Sequence, residues 1–113
     1  MFMKKERVKY EDFDKLDLRV GEIKTVENLE KSKKLLLLSV DFGEDYGIVE
    51  ILAGIALSYT PEQLVGNKYI FIANLEPRPM MGKVSNGMML AGGEEVVYLT
   101  QVANSFPNGC QLH

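Results

Sequence analysis

The chain has 113 residues, 46% of them hydrophobic, with 13 Lys+Arg against 16 Asp+Glu for a net charge of −3. That size fits one domain around one core, and an acidic total argues against a protein that coats nucleic acid indiscriminately. Local charge still acts over about 8–10 Å, so any polyanion site has to be concentrated on one face. No apolar run approaches the roughly 18 residues that cross a bilayer, and no membrane partner is expected. A single cysteine, Cys110, excludes an internal disulfide and points to a reducing compartment, the cytoplasm.

Residues 1–9 carry Lys4, Lys5, Arg7 and Lys9 with no apolar stretch behind them. They read as a flexible, charged lead-in and not as a secretory signal. Residues 10–16 suit one or two helical turns with Phe13 and Leu16 facing inward. From Leu18 the pattern Leu18, Val20, Ile23 with Arg19 and Glu22 between gives a first strand, and Gly21 inside it marks a bulge or tight bend. Residues 35–42 and 48–53 form a hairpin across the turn Glu44-Asp45-Tyr46-Gly47. Thr60 as N-cap and Pro61 at the first helical position start a short helix that Gly66-Asn67 ends. Residues 69–73, rich in aromatic and branched side chains, form a strong strand. After a Pro-rich turn, residues 84–91 and 96–101 read as the last strands, separated by the turn Gly92-Gly93-Glu94-Glu95.

Five or six short strands with one helix between the third and fourth make an all-β domain over residues 1–113. That order fits a small, closed or partly closed barrel, of which the five-stranded oligonucleotide-binding barrel is an example. Residues 92–113 are then a C-terminal extension. It carries Val96, Val97, Leu99, Val102, Phe106 and Leu112, too much apolar surface for a solvated tail.

Residues 74–91 are the most informative stretch. Arg78, Lys83, Asn74, Ser85 and Asn86 offer partners for phosphates and base edges; Pro77, Pro79, Gly82 and Gly87 shape the backbone; Met80, Met81, Met88 and Met89 add soft apolar surface. Such a mixture suits an unstacked nucleic-acid strand. It contains no nucleophile–base pair and no metal ligands. The acidic residues are scattered, His113 ends the chain, Cys110 has no catalytic partner, and Gly92-Gly93 lacks the further glycines and the helix of a phosphate loop. No catalytic residue, metal or cofactor is expected.

Four ordered segments resemble the tRNA-binding domain family: residues 13–21, Lys34-Leu35-Leu36 with residues 40–43, Ala53-Gly54-Ile55 with Leu64-Val65-Gly66, and residues 74–78 through Met81-Gly82, Ser85 and Gly87-Met88. The family includes C-terminal domains or beta subunits of methionyl-tRNA synthetases, free-standing tRNA-binding proteins and the endothelial-monocyte-activating polypeptide group. The resemblance implies an oligonucleotide-binding barrel, non-catalytic and structure-directed tRNA binding, frequent homodimers, and association with a methionyl-tRNA synthetase. One departure stands out. Members commonly carry a His-Pro-x-Ala-Asp run where this chain reads Leu29-Glu30-Lys31-Ser32-Lys33, which adds two cations beside Lys34.

Each candidate has a plainer reading. The cluster Lys31, Lys33 and Lys34 is either a solvated loop or a phosphate contact, with Lys34 favoured for contact. Arg78 is either an ion-pair partner of Glu76 or an outward cation for RNA. Ser85 and Asn86 are common turn residues, Asn74 is a common strand terminator, and at least two methionines are expected to fill the core. The expected nucleic-acid-binding set is Lys34, Asn74, Arg78, Lys83, Ser85 and Met88. Lys34, Arg78 and Lys83 are to neutralise phosphates, and the others to touch exposed nucleotides. The alternative is a chaperone-like, peptide-binding dimer on the same scaffold, for which an apolar methionine groove would speak.

Overall fold

The computed structural model describes residues 3–113. In chain order its elements are α1 (Tyr10–Asp14), β1 (Leu18–Asn28), β2 (Leu36–Asp41), β3 (Ile48–Ala53), α2 (Pro61–Leu64) and β4 (Lys68–Ile72). Short strands follow: β5 (Arg78–Met80), β6 (Lys83–Ser85), β7 (Met88–Met89), β8 (Ala91–Gly92), β9 (Tyr98–Leu99), β10 (Gln101–Val102) and β11 (Gln111–Leu112).

β1 organises the sheet. It runs antiparallel to β4 through its first half and to β2 through its second, while β3 pairs with β2 on the far side. The segment containing β6 and β7 supplies the fifth barrel strand. Met88 and Met89 pair with Ile72 and Phe71 of β4. At the other edge the connection to β3 runs partly through side chains. The Leu52 amide donates to Ser85 Oγ at 3.0 Å, and the Asn86 amide donates to the Glu50 carbonyl at 2.9 Å. The result is a nearly closed five-stranded barrel.

Alternation along the strands fills it. Leu36, Leu38 and Val40 of β2 pack with Ile51 of β3, Ile23 of β1 and Phe71 of β4, all fully buried. Phe42 meets Phe71 edge-to-face with ring centroids 5.4 Å apart, a favoured aromatic geometry. Each such side chain contributes about 1.5–3 kcal/mol of burial. Leu64 of α2 is fully buried and packs into this core. The helix start follows the sequence: Thr60 precedes Pro61, and Gln63 Oε1 accepts from the Thr60 amide at 2.8 Å.

The structure departs from the expected elements at four places. First, Gly21 is not a bulge. Its neighbourhood is the tightest approach in the core, because a Cβ there would lie 2.4 Å from Val40 Cγ1 and 2.8 Å from Phe42. The register shift falls later, between Ile23 and Thr25. Second, Phe13 and Leu16 of the α1 region do not face inward; they are 38% and 40% exposed. Third, the Pro-rich stretch is no turn. Arg78 and Pro79 are strand residues opposite Ser85 and Val84 in a separate ribbon, where a proline costs no ladder bond because both strands are edges. The expected strand over 84–91 is broken into β6, β7 and β8. Fourth, the tail returns to the barrel. β11 pairs with Leu18 and Arg19 and continues the edge that β2 leaves, a strand that the turn-rich spelling of residues 103–110 conceals.

Candidate nucleic-acid interface

The candidate surface lies where β4 hands over to the β5–β6 ribbon. Asn74 makes the handover rigid. Its Oδ1 accepts from the Asp17 amide and its Nδ2 donates to the Lys15 carbonyl, both at 2.8 Å. Asn74 is exposed, but both ends of its amide are engaged within the chain. Ser85 is buried, and its hydroxyl both accepts from the Leu52 amide and donates to the Gly87 carbonyl at 2.9 Å. Both residues matched the motif, and both hold its backbone in place.

Between these fixed points a groove of about 120 Å³ opens beside the ribbon. Leu52 lies at its floor, Leu75, Met80 and Met88 line it, and Arg78 and Glu76 stand at its rim. Arg78 is exposed and forms no ion pair with Glu76 among the described residues. Met88 is 43% exposed and also borders a second cavity of about 220 Å³ toward Gly54, Ile55 and Val97. Of the motif methionines only Met89 is buried in the core; Met80 is half-buried, and Met81 and Met88 are exposed.

The lysines divide. Lys83 lines a third, open cavity of about 280 Å³ together with Lys31, Glu30, Asn28, Leu29 and Met81. Lys34 stands apart from it: its carbonyl accepts from the Ala56 amide at 3.0 Å, which places it at the end of β3 near the Gly54 cavity. Of the expected residues, Arg78, Ser85 and Met88 line one groove and Lys83 a separate cavity, whereas Asn74 and Lys34 line neither. Leu52 is not among the expected site residues, and Lys31 enters only as part of the cluster Lys31, Lys33 and Lys34, in which Lys34 is favoured. Leu52 carries no local signal, because it sits in an ordinary apolar strand, and Lys31 was one of three adjacent lysines that spacing alone does not separate.

Arg19 plays a different part. Its Nε donates to Asp17 Oδ1 at 2.6 Å, its Nη1 donates to Asp45 Oδ2 and to the Gly109 carbonyl, both at 3.1 Å, and its guanidinium lies 5.3 Å from the Tyr46 ring centre. Asp17 also accepts from the Tyr46 hydroxyl and from Gln111 Nε2. Burial pushes the Asp17 carboxyl up, but hydrogen bonds from Arg19, Tyr46 and Gln111, with the Arg19 charge, more than offset it and hold the group below its ordinary range. The same contact raises the Tyr46 phenol, and burial adds to that shift. This knot ties the tail to the barrel. Among the described residues no group of three or more His, Cys, Asp or Glu is placed to hold a metal ion, and no helix is long and apolar enough to cross a membrane.

Comparison with known proteins shows the family. Residues 18–111 match the tRNA binding domain family. A methionine–tRNA ligase of Methanosarcina mazei is 52% identical over 87 residues, which are 77% of this chain and 12% of that ligase. The methionine–tRNA ligase of Listeria innocua is 44% identical over 103 residues, 90% of this chain and 15% of that protein. The chain therefore spans only a small part of the curated relatives it matches. Among solved structures, a MetRS-related protein from Pyrococcus horikoshii superposes with a TM-score of 0.89 at 36% identity, covering 96% of this chain and all of that one. The chaperone CsaA of Bacillus anthracis gives 0.86 at 31% identity, covering 96% of this chain and all of that one. With a barrel, a cation-rimmed groove and a family match over most of its length, the chain belongs to the tRNA binding domain family.

Proposed function

We propose that this chain binds tRNA without catalysing a reaction, acting free-standing or beside a methionyl-tRNA synthetase in the cytoplasm. Arg78, Lys83 and Lys34 neutralise backbone phosphates, and Met88 meets an unstacked base. Asn74 and Ser85 act mainly by holding the strand that presents them. The observation that carries this reading is the groove beside the ribbon, in which an unpaired Arg78 overhangs apolar Leu75, Met80 and Met88. Cation and apolar platform at one opening are what an unstacked strand needs. Titration with total tRNA and with a DNA duplex of similar length tests it; tRNA is expected to bind the tighter, and equal affinity would contradict a structure-directed site.

The same groove supports a second reading. Its apolar lining suits an extended peptide, and the CsaA chaperones share the fold. Competition decides: an unfolded peptide that displaces tRNA at comparable concentration would favour the chaperone-like role.

The active unit in this proposal is a homodimer formed through the C-terminal part. Along residues 96–99 the pattern alternates: Val97 and Leu99 pack toward the core, while Val96 and Tyr98 remain 60% and 64% exposed. Most soluble homo-oligomers are twofold dimers. Sedimentation equilibrium should give about twice the 12.7 kDa chain mass, and the doubly substituted Val96→Asp, Tyr98→Ser chain should run as monomer. A wild-type mass that stays at 12.7 kDa up to high micromolar concentration would refute the dimer.

A further inference from the structure

We propose that Lys31 and Lys83 together clamp one backbone phosphate of the bound RNA, a contact that rests on the tRNA-binding reading and gives it a second anchoring point away from the Arg78 groove. Two turn tips meet at this place. The first is the turn Leu29-Glu30-Lys31-Ser32, closed by the Ser32 amide on the Leu29 carbonyl at 3.3 Å. Ser32 Oγ then accepts from the Lys34 and Leu35 amides at 3.3 and 3.1 Å. One serine thus shapes the loop in which this chain departs from the family's usual spelling, and it leaves Lys31 at the tip. The second tip belongs to the β5–β6 ribbon. Met80 pairs with Lys83, so Met81 and Gly82 form the two-residue turn, with φ of 51° and 81°. Both positive values are the geometry of a tight hairpin turn. Met81 is the sole non-glycine with positive φ among the described residues, and a side chain that tolerates this position stands half-exposed beside the two lysines.

The electrostatics point to an anion. Lys31 and Lys83 form no ion pair among the described residues. The lining they share has one acidic residue, Glu30, against two lysines, a local excess of positive charge on a chain whose total is −3. Two like charges facing one opening are mutually unfavourable until an anion lies between them, and lysine serves phosphate as a point charge without demanding a fixed fork. The volume, about 280 Å³, falls at the lower edge of ordinary ligand sites, about 300–1,000 Å³. It suits a single phosphate with part of its sugar resting on Met81. Lys33 and Lys34, adjacent in sequence, do not line this cavity.

Anisotropy titrations of tRNA between about 50 and 200 mM salt test the clamp, because each neutralised phosphate adds about 0.7–0.9 to the log–log slope. Lys31→Ala and Lys83→Ala should each lower the slope. The double variant should lower it by about 0.7–0.9 in total and weaken binding about five- to tenfold near 0.1 M salt, the value of one phosphate. Lys33→Ala should match wild type. Lys31, Lys33 and Lys83 are all exposed, and a melting curve for each variant confirms an intact fold. A Lys31→Ala chain that binds like wild type, a double variant that loses about twice that slope, or a Lys33→Ala chain as weak as Lys31→Ala would each overturn the clamp while leaving tRNA binding intact. Wild type that fails to bind tRNA would remove the tRNA reading itself, and the clamp with it.

Discussion

Residue by residue, matching a motif and touching a ligand are separate properties. Arg78 and Ser85 face each other across one ribbon, yet they have opposite surroundings. Arg78 is exposed at the groove, whereas Ser85 is buried between two backbone partners. Arg78→Ala should therefore weaken tRNA binding by about 1–3 kcal/mol, the range of a lost charge-assisted hydrogen bond, with little change in melting temperature. A variant that binds normally but melts several degrees lower would make Arg78 structural. Ser85→Ala should do the reverse. It leaves the buried Leu52 amide without its acceptor, a cost of about 1–3 kcal/mol, measurable by urea unfolding. A cost near zero would show that a water or a backbone group replaces the hydroxyl.

Among the elements, the strands with strong alternation were legible in the sequence. The hairpin of β2 and β3, the capped α2 and the aromatic-rich β4 all lie where spacing and turn chemistry put them. What the sequence concealed depends on contacts far apart along the chain. Gly21 reads as a bend, but it is small because Val40 and Phe42 arrive from another strand. Pro79 reads as a turn, but an edge ribbon tolerates it. Of the site, the presence of cations and methionines was legible, and their grouping was not, because only the meeting of two turn tips separates Lys31 from Lys33. The short β11 has almost no strand signal of its own; it is held by the Asp17 knot, which adds a pH dependence. The Asp17 carboxyl titrates below its ordinary 3.8 in the folded chain, so the unfolded chain binds the proton first and the stabilisation is lost as pH falls through the folded value. Stability should thus decline below about pH 4, and Asp17→Asn, less stable at neutral pH, should show a shallower decline there. Thermal melts from pH 7 to pH 3 check this; parallel curves would mean that Asp17 has no depressed titration.

At the scale of the whole molecule, an acidic chain presents Arg78 and Lys83, two cations without ion pairs among the described residues, from one ribbon. Arg78 and Lys83 border separate openings, and Met88 lines both the Arg78 groove and the cavity beside Gly54. A net charge of −3 repels polyanions at long range, so affinity has to come from local phosphate contacts screened over about 8–10 Å. That requirement makes salt the most direct probe. Wild-type binding to total tRNA, measured from low to moderate salt, should give a log–log slope of roughly −2 to −4, as three or four neutralised phosphates require. A flat line over the same range would contradict a phosphate-anchored tRNA interface on this barrel.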